Sequence, residues 1–231
     1  MRILTIAAHP DDEVLGAGGA LARHAEAGDE LRLVVCGEGV TSRYDQRDQA
    51  DPDLLKNLQE DMRRASKILG VARVYTLNLP DNRFDAVDLL DIVKAVETVV
   101  DDFEPDVVYT HHPGDLNIDH RLTFQAAITA LRPLPGRRTS GIYCFEIPSA
   151  TGWATPASGL PFEPNHYVEV SGWISKKLEA LRSYAGEIPQ PPHARSEKAV
   201  EARARMRGAE IGVEFAEAFV VARSICFEGE Q

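Results

Sequence analysis

Histidines and carboxylates crowd two short stretches of this chain. His9, Asp11, Asp12 and Glu13 stand in HPDDE, and His111, His112, Asp115, Asn117, Asp119 and His120 stand in HHPGDLNIDH. Side chains of these types bind divalent metals and move protons. A catalytic zinc commonly takes three protein ligands from His, Asp or Glu and keeps a fourth position for water. His9 and Asp12 are three residues apart at a strand-to-helix turn, which lets both face one side, and His120 could close a triad. Two histidines and one carboxylate would then hold the metal. A second carboxylate would stay free to take a proton from activated water and return it to a leaving group. HPDDE alone has a plainer reading, because Asp12 or Glu13 suits a helix N-terminus. The second His/Asp-rich stretch favours the metal.

The two stretches lie about a hundred residues apart, so the fold must bring them together. Residues 2–8, 31–36, 71–77, 106–110 and 140–145 read as apolar strands. Residues 14–27 read as a helix ending at Gly28, and Leu55, Leu58, Met62, Ala65 and Leu69 recur at helical spacing before Gly70. Leu89 to Phe103 and His120 to Leu131 give two more helices. Strands alternating with helices predict an α/β, Rossmann-like architecture: a mostly parallel sheet with helices on both faces. Ligands bind such sheets beyond the carboxyl ends of the strands, where strand order reverses. A reversal between the first and fourth strands would make the two stretches neighbours. One domain is expected over residues 1–231, with 146–231 as a C-terminal elaboration packing on the sheet, a helix at 171–184 and a further helical stretch after it. The loop 39–53 and the stretch 146–166 are expected to carry specificity.

Composition narrows the partners. A net charge of −11 disfavours nucleic acid and anionic membranes. The local basic stretch from Arg195 to Arg207 reads as a solvated helix face. No apolar run approaches the ~20 residues of a membrane span, the N-terminus does not read as a signal peptide, and a cytoplasmic location is expected. The three cysteines show no CxxC spacing. Gly16 and Gly18 suggest a dinucleotide fingerprint, but HPDDE separates them from the strand, Leu21 replaces the third glycine, and the adjacent carboxylates would repel a pyrophosphate. Packing of the first helix on the sheet explains them better. No GxSxG is present, so serine hydrolase chemistry lacks its nucleophile elbow. Arg83 could hold a hydroxyl or phosphate of a ligand, or pair with Asp85. Trp153 and Tyr184 could stack on a ligand ring or pack in the core.

With HPDDE after the first strand and a distal DH pair, the chain resembles the PIG-L/LmbE family of zinc-dependent N-deacetylases. LPDNRFD at 79–85, HHPGDLNIDHR at 111–121, EIPSATGW at 146–153 and RGAEIGVEFAEAF at 207–219 fit the same resemblance. It implies His9, Asp12 and His120 as zinc ligands and Asp11 as general base and acid. It further implies removal of an acetyl group from an amino sugar or its conjugate, and association into a homo-oligomer. Several members carry a histidine three residues before the last ligand, thought to stabilise the oxyanion; here that position is Asn117. An amide N–H can donate to an oxyanion but carries no proton or charge. The oxyanion role is therefore open among Asn117, His112 and the zinc. Arg83 and Asp119 are assigned to substrate binding. A nucleotide-binding Rossmann protein and a non-catalytic metal-binding relative are the competing readings.

Overall fold

The structure, a computed structural model, describes residues 1–155 and 159–228. Residues 156–158 of the expected specificity stretch, and 229–231 at the end of the expected elaboration, lie outside the described residues. The chain runs β1 (Arg2–Ala7), α1 (Asp12–Glu26), β2 (Glu30–Gly37), α2 (Pro52–Leu69), β3 (Arg73–Leu79), α3 (Leu89–Phe103), β4 (Val107–His111), α4 (Ile118–Ala130) and β5 (Gly141–Phe145). It continues as β6 (His166–Glu169), α5 (Ile174–Ser183), α6 (Glu197–Ile211) and β7 (Ala216–Ser224).

All seven strands form one sheet in the order β3-β2-β1-β4-β5-β7-β6. β1 pairs in parallel with both β2 and β4, so strand order reverses there, as the sequence reading required. β7 runs antiparallel to both β5 and β6. The sequence reading expected helices in this region and missed β6 and β7. β6 has only four residues and follows a proline-rich stretch, and β7 begins in a Glu/Ala-rich run.

Alternate strand residues bury on opposite faces. Ile3, Leu31, Leu33, Tyr109 and Phe145 pack with α1, α2 and α5. Leu4, Ile6, Val34, Val108 and Ile142 pack with α3 and α4. With helices on both faces, the central strands can be apolar almost throughout. Among the described residues no helix is long and apolar enough to cross a membrane.

Two glycines set how closely α1 approaches. A Cβ at Gly16 would overlap the Phe145 ring, and one at Gly19 would come within 2.8 Å of Val170. β7 is tied to the same helix by Glu217, which accepts from Gly19 N at 2.9 Å, Ala20 N at 2.7 Å and Lys177 Nζ at 2.5 Å. Both side chains of that ion pair are buried, and their hydrogen bonds to backbone supply the compensation that buried charge needs.

Candidate active site

His9 to Asp12 leave the carboxyl end of β1, and His111 to His120 leave that of β4. Parallel pairing of the two strands sets the stretches side by side. Together they wall a crevice of about 610 Å³ whose lining includes His9, Asp11, Asp12, Asp81, Asn117 and His120. That volume falls within the roughly 300–1,000 Å³ of ligand pockets.

Among the described residues, three groups of ligand-type atoms lie within 4.8 Å of one another: His9/Asp12/His120, His111/Asp115/His120 and His9/Asp81/Asp119. Hydrogen bonding separates them. His111 Nε2 is taken by Ala8 N at 2.8 Å, and the residue does not line the crevice. Asp119 is fully buried and accepts from Asn82 N at 2.6 Å and Phe84 N at 3.0 Å. In the first group each histidine turns one nitrogen to a carboxylate: His9 Nε2 lies 2.9 Å from Asp119 Oδ2, and His120 Nδ1 lies 3.2 Å from Asp115 Oδ2. Carboxylates behind metal-binding histidines act in this way, fixing tautomer and ring orientation. The opposite nitrogens, His9 Nδ1 and His120 Nε2, stand 3.5 and 3.4 Å from Asp12 Oδ2. Ligand atoms on a tetrahedral zinc at ~2.1 Å are about 3.4 Å apart, so this group fits a metal.

Asp115 is itself held, by the Thr151 hydroxyl at 2.5 Å and by Asn117 N at 2.8 Å. Asn117 caps α4 through Oδ1 to Asp119 N, and its Nδ2 donates to Asn82 Oδ1 at 2.9 Å.

Asp11 has a left-handed backbone, φ 98°, which non-glycine residues rarely adopt. Its N–H donates to Glu13 Oε2 at 3.1 Å, and Glu13 Oε1 accepts from the Tyr184 hydroxyl at 2.6 Å. Arg195 Nη1 meets the Asp11 carboxylate at 3.0 Å. Asp11 and Asp12 are thus adjacent in sequence and opposite in partners.

Their electrostatics diverge accordingly. Burial raises the Asp11 pKa well above the usual carboxylate value; Asp12, Glu13 and Glu187 add to the rise and Arg195 opposes it. Burial acts on Asp12 too, but His120, His111 and His9 outweigh it and hold Asp12 well below its usual value. Burial would lower His9, yet Asp119, Asp12 and Asp81 lift it to about 10. Glu13 is pushed by burial up to about 7, with the Tyr184 hydrogen bond resisting. His111 falls to about 3, through burial and the proximity of His120.

Four expectations need correction. Asp119 has no surface for substrate; its oxygens are taken by His9 and two backbone amides, so it positions a histidine. His112 is buried beside the crevice rather than lining it, with Nδ1 accepting from Gly114 N at 3.1 Å and its ring edge-on to Phe162. Arg83 is exposed, donates to the Asp45 carbonyl and also stays out of the lining. The basic stretch is not a solvated face: besides Arg195 at Asp11, Arg203 and Arg207 grip Glu146 at 2.7 and 2.8 Å. Sequence reasoning left Arg195, Asp81 and Thr151 without a role, and it offered Tyr184 for ring stacking or the core, where it is in fact buried with its hydroxyl on Glu13. The resemblance had singled out the stretches that hold Asp81 and Thr151, but nothing local marks Arg195.

A profile of the PIG-L family, described as GlcNAc-PI de-N-acetylase, matches residues 4–131. Among curated proteins, the uncharacterised deacetylase YaiS of Escherichia coli K12 is 32% identical over 79% of this chain and 89% of its own length. Diacetylchitobiose deacetylase of Thermococcus kodakarensis is 25% identical over 82% of this chain and 71% of its own. Among solved structures, GalB, the 4-carboxy-2-hydroxymuconate hydratase of Pseudomonas putida KT2440, superposes with TM-score 0.78 at 21% identity, covering 99% of this chain and 98% of that one.

Proposed function

The chain belongs to the PIG-L family, and on that footing we propose that it is a metal-dependent amide hydrolase that removes the acetyl group from an N-acetylated amino sugar or its conjugate. The observation that carries this reading is the triad His9 Nδ1, Asp12 Oδ2 and His120 Nε2 beside a separate carboxylate, Asp11, in one crevice. The relatives named as deacetylases support it. Residues 1–231 act as one domain in this reading.

His9, Asp12 and His120 hold the metal, for which zinc is our assignment on the His₂Asp donor set. A divalent ion there supplies Lewis acidity toward the amide carbonyl and acidifies water. Asp119 and Asp115 keep the two imidazoles turned toward it. Asp11, in its ionised form, accepts a proton from the attacking water, and its raised pKa makes that carboxylate a stronger base. The water oxygen bonds to the acetyl carbon, and we assign the developing oxyanion to the second N–H of Asn117 Nδ2, the first being committed to Asn82. Asp11 then passes its proton to the leaving nitrogen as the C–N bond breaks, and acetate and a free amine result.

The test is acetate release from N-acetylglucosamine and its disaccharide by the metal-loaded protein, with free amine appearing one for one. Asp11→Asn should cut kcat by roughly 100- to 10,000-fold while metal analysis finds the ion still bound. Near-normal turnover by that variant would remove Asp11 from the proton path.

A further inference from the structure

Trp153 is 53% exposed and lines the same crevice as the metal-binding triad. It follows a buried residue, Thr151, whose hydroxyl is fixed on Asp115, so a short helical turn anchored at the site carries the indole outward. Its ring meets His193 edge to face, centroids 5.5 Å apart. His193 also lines the crevice and accepts from Arg195 N at 3.1 Å. The pair is therefore built from two separate segments, each tied to the catalytic end by a hydrogen bond or ion pair. It forms a wall of the crevice, and the indole face is not spent in the core.

The charges around it say what such a wall would take. Both arginines lining the crevice are committed: Arg43 to Glu187 at 2.5 Å and Arg195 to Asp11 at 3.0 Å. Asp81 and Glu187 also line it. A phosphate or carboxylate on the outer part of the substrate would meet acidic side chains, and both arginines of the lining already face a carboxylate. Exposed Leu116 adds apolar surface to the lining. An exposed aromatic face buries apolar surface well, and a neutral sugar ring offers C–H surface on one side.

Resting on the function proposed above, we propose that Trp153 and His193 form an outer subsite that takes an uncharged second sugar ring, so that the protein favours an N-acetylated disaccharide over the free monosaccharide. Trp153→Ala should lower the ratio of kcat/KM for N,N′-diacetylchitobiose to that for N-acetylglucosamine by roughly tenfold, the size of an aromatic contact of ~1.4 kcal/mol. The change should fall on KM for the disaccharide, and Trp153→Phe should restore most of the ratio. Fluorescence supplies a readout independent of turnover. The sequence holds two tryptophans, and Trp173 is tied to Glu26 and is absent from the crevice lining. The disaccharide should change the wild-type emission and leave Trp153→Ala unresponsive. Acetate released from both sugars, with a ratio unchanged by Trp153→Ala, would overturn the subsite and spare the deacetylase reading. A fluorescence response without acetate release would support the subsite and overturn that reading. Neither signal would overturn both.

Discussion

A carboxyl group acting as base must be ionised when substrate arrives, and Asp11 resists ionisation because it is buried beside Asp12. Arg195 opposes that rise. Activity should therefore increase with pH as Asp11 loses its proton. Arg195→Gln removes the positive side chain that meets the Asp11 carboxylate, so the acidic limb of the kcat/KM profile should move to higher pH. A limb that stayed in place would show that Arg195 does not govern the base. At the metal end, Asp119 orients His9 and accepts two backbone amides. Asp119→Ala should weaken metal binding by roughly 10- to 100-fold, measured by competition with a chromophoric chelator. That His9 and His120 would meet in one crevice was legible from residue type and the order of the strands. The carboxylates behind them were not assigned that role, because which way Asp119 and Asp115 point depends on the turn that precedes α4. Arg195 was hidden altogether, lying 184 residues from its partner in a segment without periodicity.

The turn between β1 and α1 is where element geometry becomes chemistry. Asp11 holds its left-handed backbone with Glu13 bonded to its N–H and Tyr184 bonded to Glu13. A carboxyl raised by burial from 4.5 to about 7 leaves the folded state binding more protons than the unfolded state between those values. Its contribution is full below the unfolded pKa and is lost as pH rises through about 7. Folding stability of the metal-free protein should consequently drop by order 3 kcal/mol from pH 4.5 to 8 through this group. Glu13→Gln should flatten that slope in denaturant titrations at the two pH values; an unchanged slope would remove Glu13 as its source. The glycines of α1 belong to the same scale. Gly16→Ala forces a methyl into the Phe145 ring and should destabilise by roughly 1–3 kcal/mol, read as a lower denaturation midpoint without loss of metal. Those glycines were correctly taken as packing residues, since the carboxylates before them spoke against a nucleotide. β6 and β7 escaped because an edge strand of four residues and a Glu/Ala-rich strand carry almost no period-two signal.

For the whole molecule, topology does what no local stretch can. Reversal of strand order at β1 and β4 makes neighbours of HPDDE and HHPGDLNIDH, and the C-terminal strands and helices close the sheet and send Arg195 and His193 back into the crevice. The same architecture serves a hydratase at TM-score 0.78, so the fold alone does not name the reaction. Membership of the family points to amide hydrolysis, and the donor set beside Asp11 is what our proposal adds. Metal binding to the folded state should also stabilise it by mass action. Chelation should lower the thermal midpoint, and returning zinc should restore it. The most direct test of the account is acetate release from N,N′-diacetylchitobiose by one preparation measured before chelation, after it, and after zinc is returned. Activity that disappears and comes back with the metal is the predicted result. Acetate release that persists in fully metal-free protein, or none from the zinc-loaded protein on any N-acetylated sugar, would contradict it.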